Sequence, residues 1–319
     1  MFTEVHTDFI LNPLMDVLAD GVQACTSLPV GIENSALGEY FMQSLLLRVT
    51  GAQEQKLKCI CWVMATNDYR YRYDLLNVKN YGECSEYKHK KGVYVDLCNL
   101  IQGFDSKFKP IDILTDFPIS EEREVEIRSK WEHEIDESRR KEAEHIIAEK
   151  TRKGDVLDQE DKDEILNNLL RKVYPEKEWR ERLFKEKKVQ FVKDIAERLV
   201  EVVEHSPLTV WSNREFRFFK EHWQDVVNEK QLILSANEFL GSGLQMFYRQ
   251  LVFEQRNRIA HNTASYLKDV PTLDTLADKG YVYKNYFFRF AILLVIDEVF
   301  VRMYRRYREM ASEGWGIRG

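Results

Sequence analysis

The run Phe253-Glu254-Gln255-Arg256-Asn257-Arg258-Ile259-Ala260-His261-Asn262 sets an arginine and a histidine five positions apart. An imidazole titrates near neutrality and can take or give a proton. A guanidinium is a planar fork that can hold a phosphate and stabilise charge building on it. The spacing alone selects nothing, because Arg128/His133, Arg140/His145 and Arg217/His222 share it. The first two lie in a densely charged stretch and read as solvated helix faces. Arg217 and His222 sit among Phe216, Phe218, Phe219 and Trp223, where packing or a cation–π contact explains them. Arg256/His261 has Asn257 directly after the arginine, an apolar helix before it and a long apolar helix after it. At about 100° per residue, Asn257 and His261 share one helix face and Arg256 projects about 140° from His261. The same run also reads as a helix C-terminus, with Asn262 as cap and His261 favoured by the helix dipole.

The Arg256-to-His261 motif resembles the signature of the HEPN superfamily. That resemblance implies a mainly α fold, a HEPN-like helical bundle, commonly dimeric, in prokaryotic toxin, anti-phage or CRISPR-linked settings. It also implies a metal-independent endoribonuclease with Arg256, Asn257 and His261 as the catalytic set. RNA would supply its own nucleophile, the 2′-OH, and two motifs facing each other across a homodimer would surround one phosphate. The expected products are a 2′,3′-cyclic phosphate or 3′-phosphate and a 5′-hydroxyl, with no metal and no cofactor. The partners implied are the RNA substrate, a second copy, and a controlling antitoxin, guide RNA or neighbouring-gene product. The alternative is a non-catalytic HEPN-like module that binds RNA or protein.

Elements must position this motif. Segments 223–240 and 244–262 read as helices separated by Gly241-Ser242-Gly243, and 282–310 as a last helix, apolar almost all round in its first half and therefore central. Near the N-terminus, Thr50 and Gln53 form a capping box that predicts a helix over 51–66. With a preceding helix over 36–49, it makes a helical hairpin within about 30–75. Such a hairpin resembles the first one of some HEPN-type proteins, and would pack on the C-terminal part. Glu54 and Lys58, one turn apart, are then supporting candidates to orient Arg256 or His261; an exposed i,i+4 pair is the other reading. Residues 78–118 are less regular, and Val93-Tyr94-Val95 could be strand.

Three parts follow: 1–118, a charged helical insertion over 119–205, and the HEPN-like catalytic part over 206–319. Forty-three of residues 121–200 are charged, against 31% overall, which predicts two to four long helices around a narrow apolar seam. Arg302, Tyr304, Arg305 and Arg306, with Arg258, are candidates for phosphate contact and base stacking; Tyr69-Arg70-Tyr71-Arg72-Tyr73 has the same character.

Composition excludes other classes. Hydrophobic residues at 44% rule out wholesale disorder, and 14 Gly with 7 Pro argue against a many-turned β fold. No apolar run reaches membrane-spanning length and no signal peptide is evident. Five cysteines, an odd number, read as reduced thiols in a cytoplasmic protein. Cys59, Cys61, Cys84 and His89 lack zinc-ligand spacing. A net charge of −6 means that nucleic acid would be held by local basic patches.

Overall fold

A computed structural model describes residues 2–29, 31, 35–154, 156–226, 231–261 and 285–316. The fold is mainly α. The chain divides into two compact units: residues 1–115 with 191–319, and residues 116–190.

The first unit opens with α1 (Phe2–Leu11) and α2 (Leu14–Cys25). Then comes α3 (Ser35–Asn67), one unbroken helix where the capping box predicted a hairpin. The correction has a clear cause. The Thr50 hydroxyl donates back to the Leu46 carbonyl at 2.8 Å, so it does not cap a new helix, and the Gln53 amide reaches the Leu293 carbonyl at 2.8 Å. Buried Met42, Leu45, Leu46 and Val49 also continue at helical spacing into Gln53, Leu57, Ile60 and Met64, past Gly51. That continuous stripe outweighs the cost of about 1 kcal/mol for one helical glycine.

Asp68 caps the short α4 (Tyr69–Asn77), accepting from the Tyr71 amide at 2.8 Å. α5 (Tyr87–Phe104) includes the segment expected as strand. Its buried Lys90, Val93, Tyr94, Leu97, Cys98 and Ile101 fall at period 3.6, not 2. A 3-10 turn, Pro110–Leu114, follows.

The second unit holds α6 (Glu121–Arg152), α7 (Gln159–Leu170) and the start of α8 (Glu176–Val203). Its seam is narrow: Ile127, Trp131 and Trp179 are buried, and the two indoles lie 5.5 Å apart. Arg139 donates to the Val173 carbonyl at 3.1 Å and its guanidinium covers the Tyr174 ring at 5.0 Å. The rest of α8, expected within the insertion to 205, belongs to the first unit. Phe191, Val192, Ile195, Ala196, Leu199 and Val203 are buried there as an apolar helical stripe.

The chain continues through α9 (Pro207–Trp211) and α10 (Asn213–Val226). Of the helix expected over 223–240, residues 223–226 belong to α10, 227–230 lie outside the described residues, and the remainder is an antiparallel hairpin, β1 (Leu232–Ser235) with β2 (Glu238–Leu240). Alternating burial of Leu232 and Leu234 explains it, and Phe239 fills the gap between Tyr94, at 4.9 Å, and Phe300, at 5.6 Å. α11 (Ser242–Phe247), a π-helical turn (Tyr248–Phe253) and α12 (Glu254–His261) then run on as one rod. The last helix, α13 (Tyr286–Gly316), is buried on every side over 286–297. No helix of the described residues is long and apolar enough to cross a membrane.

One ion pair of this core joins three helices. Lys56 Nζ meets both oxygens of Asp297, at 2.9 and 3.0 Å, with each side chain 4% exposed. Asp297 also accepts the Leu14 amide at 2.8 Å, so one carboxylate joins α2, α3 and α13. Lys56→Met should lower stability by about 3–5 kcal/mol, because it strands a buried carboxylate. The double variant Lys56→Met/Asp297→Leu should recover most of that loss in urea unfolding. A single variant costing under about 1 kcal/mol would show that the pair is solvated.

Candidate active site

The π-helical turn fixes the motif helix in place. Tyr248, Leu251 and Val252 are buried there, and the Tyr248 hydroxyl donates to the Ser85 carbonyl at 2.6 Å. A π turn inserts one extra residue into a helix, and such turns recur at functional sites. Beyond it, no residue of α12 is buried. The motif therefore sits on a helix that is anchored at its start and open along its length.

Arg256 is held from two sides. Its Nη2 donates to Glu54 Oε2 at 2.9 Å, and its Nη1 donates to Asn257 Oδ1 at 3.1 Å. The Glu54 side chain is 9% exposed and that of Arg256 is 23% exposed. Burial pushes the Glu54 carboxyl above its ordinary range, while Arg256, Lys90 and Lys58 pull it back down. The result is an arginine oriented by a desolvated carboxylate. His261 is exposed, at the last turn of the same helix. At 1.5 Å per residue, it stands about 7.5 Å along the axis from Arg256. Asn262, the alternative cap, lies outside the described residues.

The other candidates divide. Lys58 pairs with Glu83, not with Arg256 or His261, so of the two supporting residues only Glu54 touches the motif. Tyr304 is fully buried and its hydroxyl bonds Thr7 Oγ1 at 2.9 Å, so it cannot stack on a base. The apolar stripe of α13 runs through that position, which the alternation of Arg and Tyr hid. Arg302 is turned inward as well: it pairs with Glu298 at 3.0 Å and covers the Phe191 ring at 5.5 Å. Arg306 pairs with Glu309 and Asp105, whereas Arg305 and Arg258 are exposed. His222 stacks on Phe218 at 4.2 Å, consistent with packing at the Arg217/His222 pair. Among the described residues, no group of acidic, Cys and His side chains is arranged to hold a metal.

Sequence reasoning missed the groups behind Glu54. Lys90 is 1% exposed, with Nζ 5.5 Å from the centre of the Tyr248 ring. Burial lowers its pKa to about 8, against the opposing pull of Glu54, Cys84 and Asp297. Cys84, at φ 57°, shares a thiol hydrogen bond with Cys61 that lowers its own pKa and raises that of Cys61. Lys90 was detectable, because it occupies the apolar stripe three and four positions before Val93 and Tyr94. Cys84 carried no such signal.

Comparison with family models, with curated proteins and with solved structures finds no match to this chain.

The Lys90 ammonium makes stability depend on pH. Its folded pKa, about 8, is below its unfolded value, so the unfolded chain binds more protons between pH 8 and about 10.5. Lys90 therefore opposes folding below pH 8, and this penalty fades as pH rises through that window. The stability of the wild type minus that of Lys90→Met should climb by up to about 3 kcal/mol from pH 7.5 to 10.5. A flat difference in unfolding titrations would show that the ammonium is solvated.

Proposed function

We propose that the protein is a metal-independent endoribonuclease in which Arg256 and His261 act on one RNA phosphodiester. The observation that supports this reading most is the buried Glu54 carboxylate, which aims the Arg256 guanidinium on a helix whose open end carries His261. Orienting a guanidinium in a partly desolvated place before substrate arrives is how charge on a pentacoordinate phosphorus is stabilised without reorganisation.

The chemistry follows from the residue types. The His261 imidazole takes the proton of the 2′-OH, the O2′ attacks phosphorus, and the P–O5′ bond breaks. Arg256 stabilises the extra negative charge of the intermediate state. The departing 5′-oxygen needs a proton, which an imidazolium supplies. In a homodimer with two motifs facing one cleft, His261 of one protomer serves as base and that of its partner as acid. The products are a 2′,3′-cyclic phosphate and a 5′-hydroxyl. Resemblance of the motif to HEPN signatures supports a toxin-like or anti-phage effector as the setting.

Purified protein should cleave RNA in EDTA, leaving 5′-hydroxyl ends. His261→Ala and Arg256→Ala should each lower the rate by about 10²-fold or more, while His222→Ala does far less. Sedimentation should show a dimer. Intact RNA under all these conditions would favour the non-catalytic binding module, and equal losses from the two histidine variants would show the wrong pair was chosen.

A further inference from the structure

Two cysteines meet behind the Arg256 site, and the proposed cleavage uses neither. All five cysteines of the chain are free and buried. Cys25 bonds the Val22 carbonyl at 3.0 Å, Cys59 accepts from the Gln55 amide at 3.8 Å, and Cys98 meets Tyr94; burial pushes these three thiols up. Cys61 and Cys84 bond each other instead. The Cys61 thiol on α3 holds Cys84 below the usual thiol range against the cost of burial, and Lys90 and Lys58 add to that pull. Of the five thiols, only Cys84 is shifted that way. The backbone is strained to put it there: Cys84 donates its amide to the Tyr81 carbonyl at 2.9 Å and has φ 57°, a region that side chains rarely adopt. This turn runs along the surface, with Gly82 and Glu83 exposed, so a local opening of a few residues admits a small oxidant. Both neighbours of Cys84 touch the site. Glu83 pairs with Lys58, one turn from Glu54, and the Ser85 carbonyl accepts the Tyr248 hydroxyl that anchors the π-helical turn before Arg256.

We propose that Cys61 and Cys84 are a dithiol oxidised by peroxide, whose reversible disulfide acts on the Arg256 site through the turn over 82–85. Two small side chains filling space would account for the burial. They would not account for the left-handed backbone of Cys84 or for the cations beside it, which favour the thiolate, the form that attacks. That thiolate attacks one peroxide oxygen: an S–O bond forms, the O–O bond breaks, and the departing hydroxide takes up the proton Cys84 had released. The Cys61 sulfur then attacks the sulfenic acid. An S–S bond forms, the S–O bond breaks, and the second hydroxide leaves as water with the Cys61 proton. Two thiols and one peroxide thus give one disulfide and two waters, the thiols losing the two electrons that the peroxide gains. A disulfide brings its sulfurs to about 2 Å, well inside the separation of hydrogen-bonded thiols, so the turn is drawn toward α3. Glu83 and Ser85 move with it, and the hold of Ser85 on Tyr248 loosens. The effect on cleavage rests on the ribonuclease reading of Arg256; the disulfide and the movement do not.

The test treats the full chain with hydrogen peroxide and then with dithiothreitol. Peptide mass spectrometry after alkylation should find the Cys61 and Cys84 peptides joined and lighter by two hydrogens, then separate again after the reductant. Cys25, Cys59 and Cys98 should stay open to alkylation once the chain is denatured. Hydrogen–deuterium exchange over 248–261 should rise about threefold or more in the oxidised wild type, and in Cys59→Ser, but not in Cys61→Ser or Cys84→Ser. If a serine variant melts early, the alanine variant at the same position takes its place. Cysteines 61 and 84 left free by peroxide, oxygen added to Cys84 without a bridge, or a bridge to Cys59 would each overturn the dithiol. A bridge that leaves exchange over 248–261 unchanged would overturn its action on the site. RNA cleavage by the wild type should fall about tenfold on oxidation and return with the reductant. RNA left intact by the reduced protein would refute the ribonuclease reading alone, and the exchange result would still decide the switch.

Discussion

One turn of α3 buries three polar side chains. Gln53, Glu54 and Lys56 are 1%, 7% and 3% exposed, and each bonds a group more than 200 positions along the chain. Gln53 reaches a carbonyl of α13, Lys56 meets Asp297 on the same helix, and Glu54 meets Arg256 on α12. A buried polar group without a partner costs several kcal/mol, so these pairings tolerate little slippage. They set the register of α3 against α13 and the position of the motif helix against both. Apolar packing supplies most of the driving force for the core, but it does not by itself distinguish one helical register from its neighbours. The polar contacts do.

This constraint also explains what could be read in advance. The all-round apolar start of α13 and the charge-dense helices over 121–200 were legible because both are periodic patterns spanning many residues. The hairpin at Thr50 was misread because a capping box is a local pattern. Its threonine and glutamine were employed elsewhere, in a backbone contact one turn back and a contact with α13. Val93-Tyr94-Val95 looked like strand only when isolated from Lys90, Leu97 and Ile101. The β hairpin at 232–240 was lost to a helical reading because its strands are short and its stabilising contacts, to Tyr94 and Phe300, are distant in sequence.

The site was legible to the same extent. Arg256, Asn257 and His261 fall on one helix as their spacing requires, and Glu54 was identifiable as a supporting group. Its neighbour Lys58 was not separable from it without the fold, which turns one inward to Arg256 and the other to Glu83. Tyr304 shows the opposite error. Alternation with arginine suggested exposure, yet its position on α13 places it in the core. The missed ammonium of Lys90 and the thiol pair Cys61/Cys84 lie behind Glu54. There the Lys90 ammonium makes the surroundings of that carboxylate more positive than its own helix would suggest.

On the proposed reading, Glu54 is a positioning residue that would act on the reaction only by holding Arg256. A double-mutant cycle on kcat/KM for RNA cleavage tests this directly. With Arg256 intact, Glu54→Gln should reduce kcat/KM about tenfold; in the Arg256→Ala background the same substitution should change nothing further. Equal losses in both backgrounds would contradict the account, showing that the carboxylate serves the reaction, or the fold, independently of the arginine it touches.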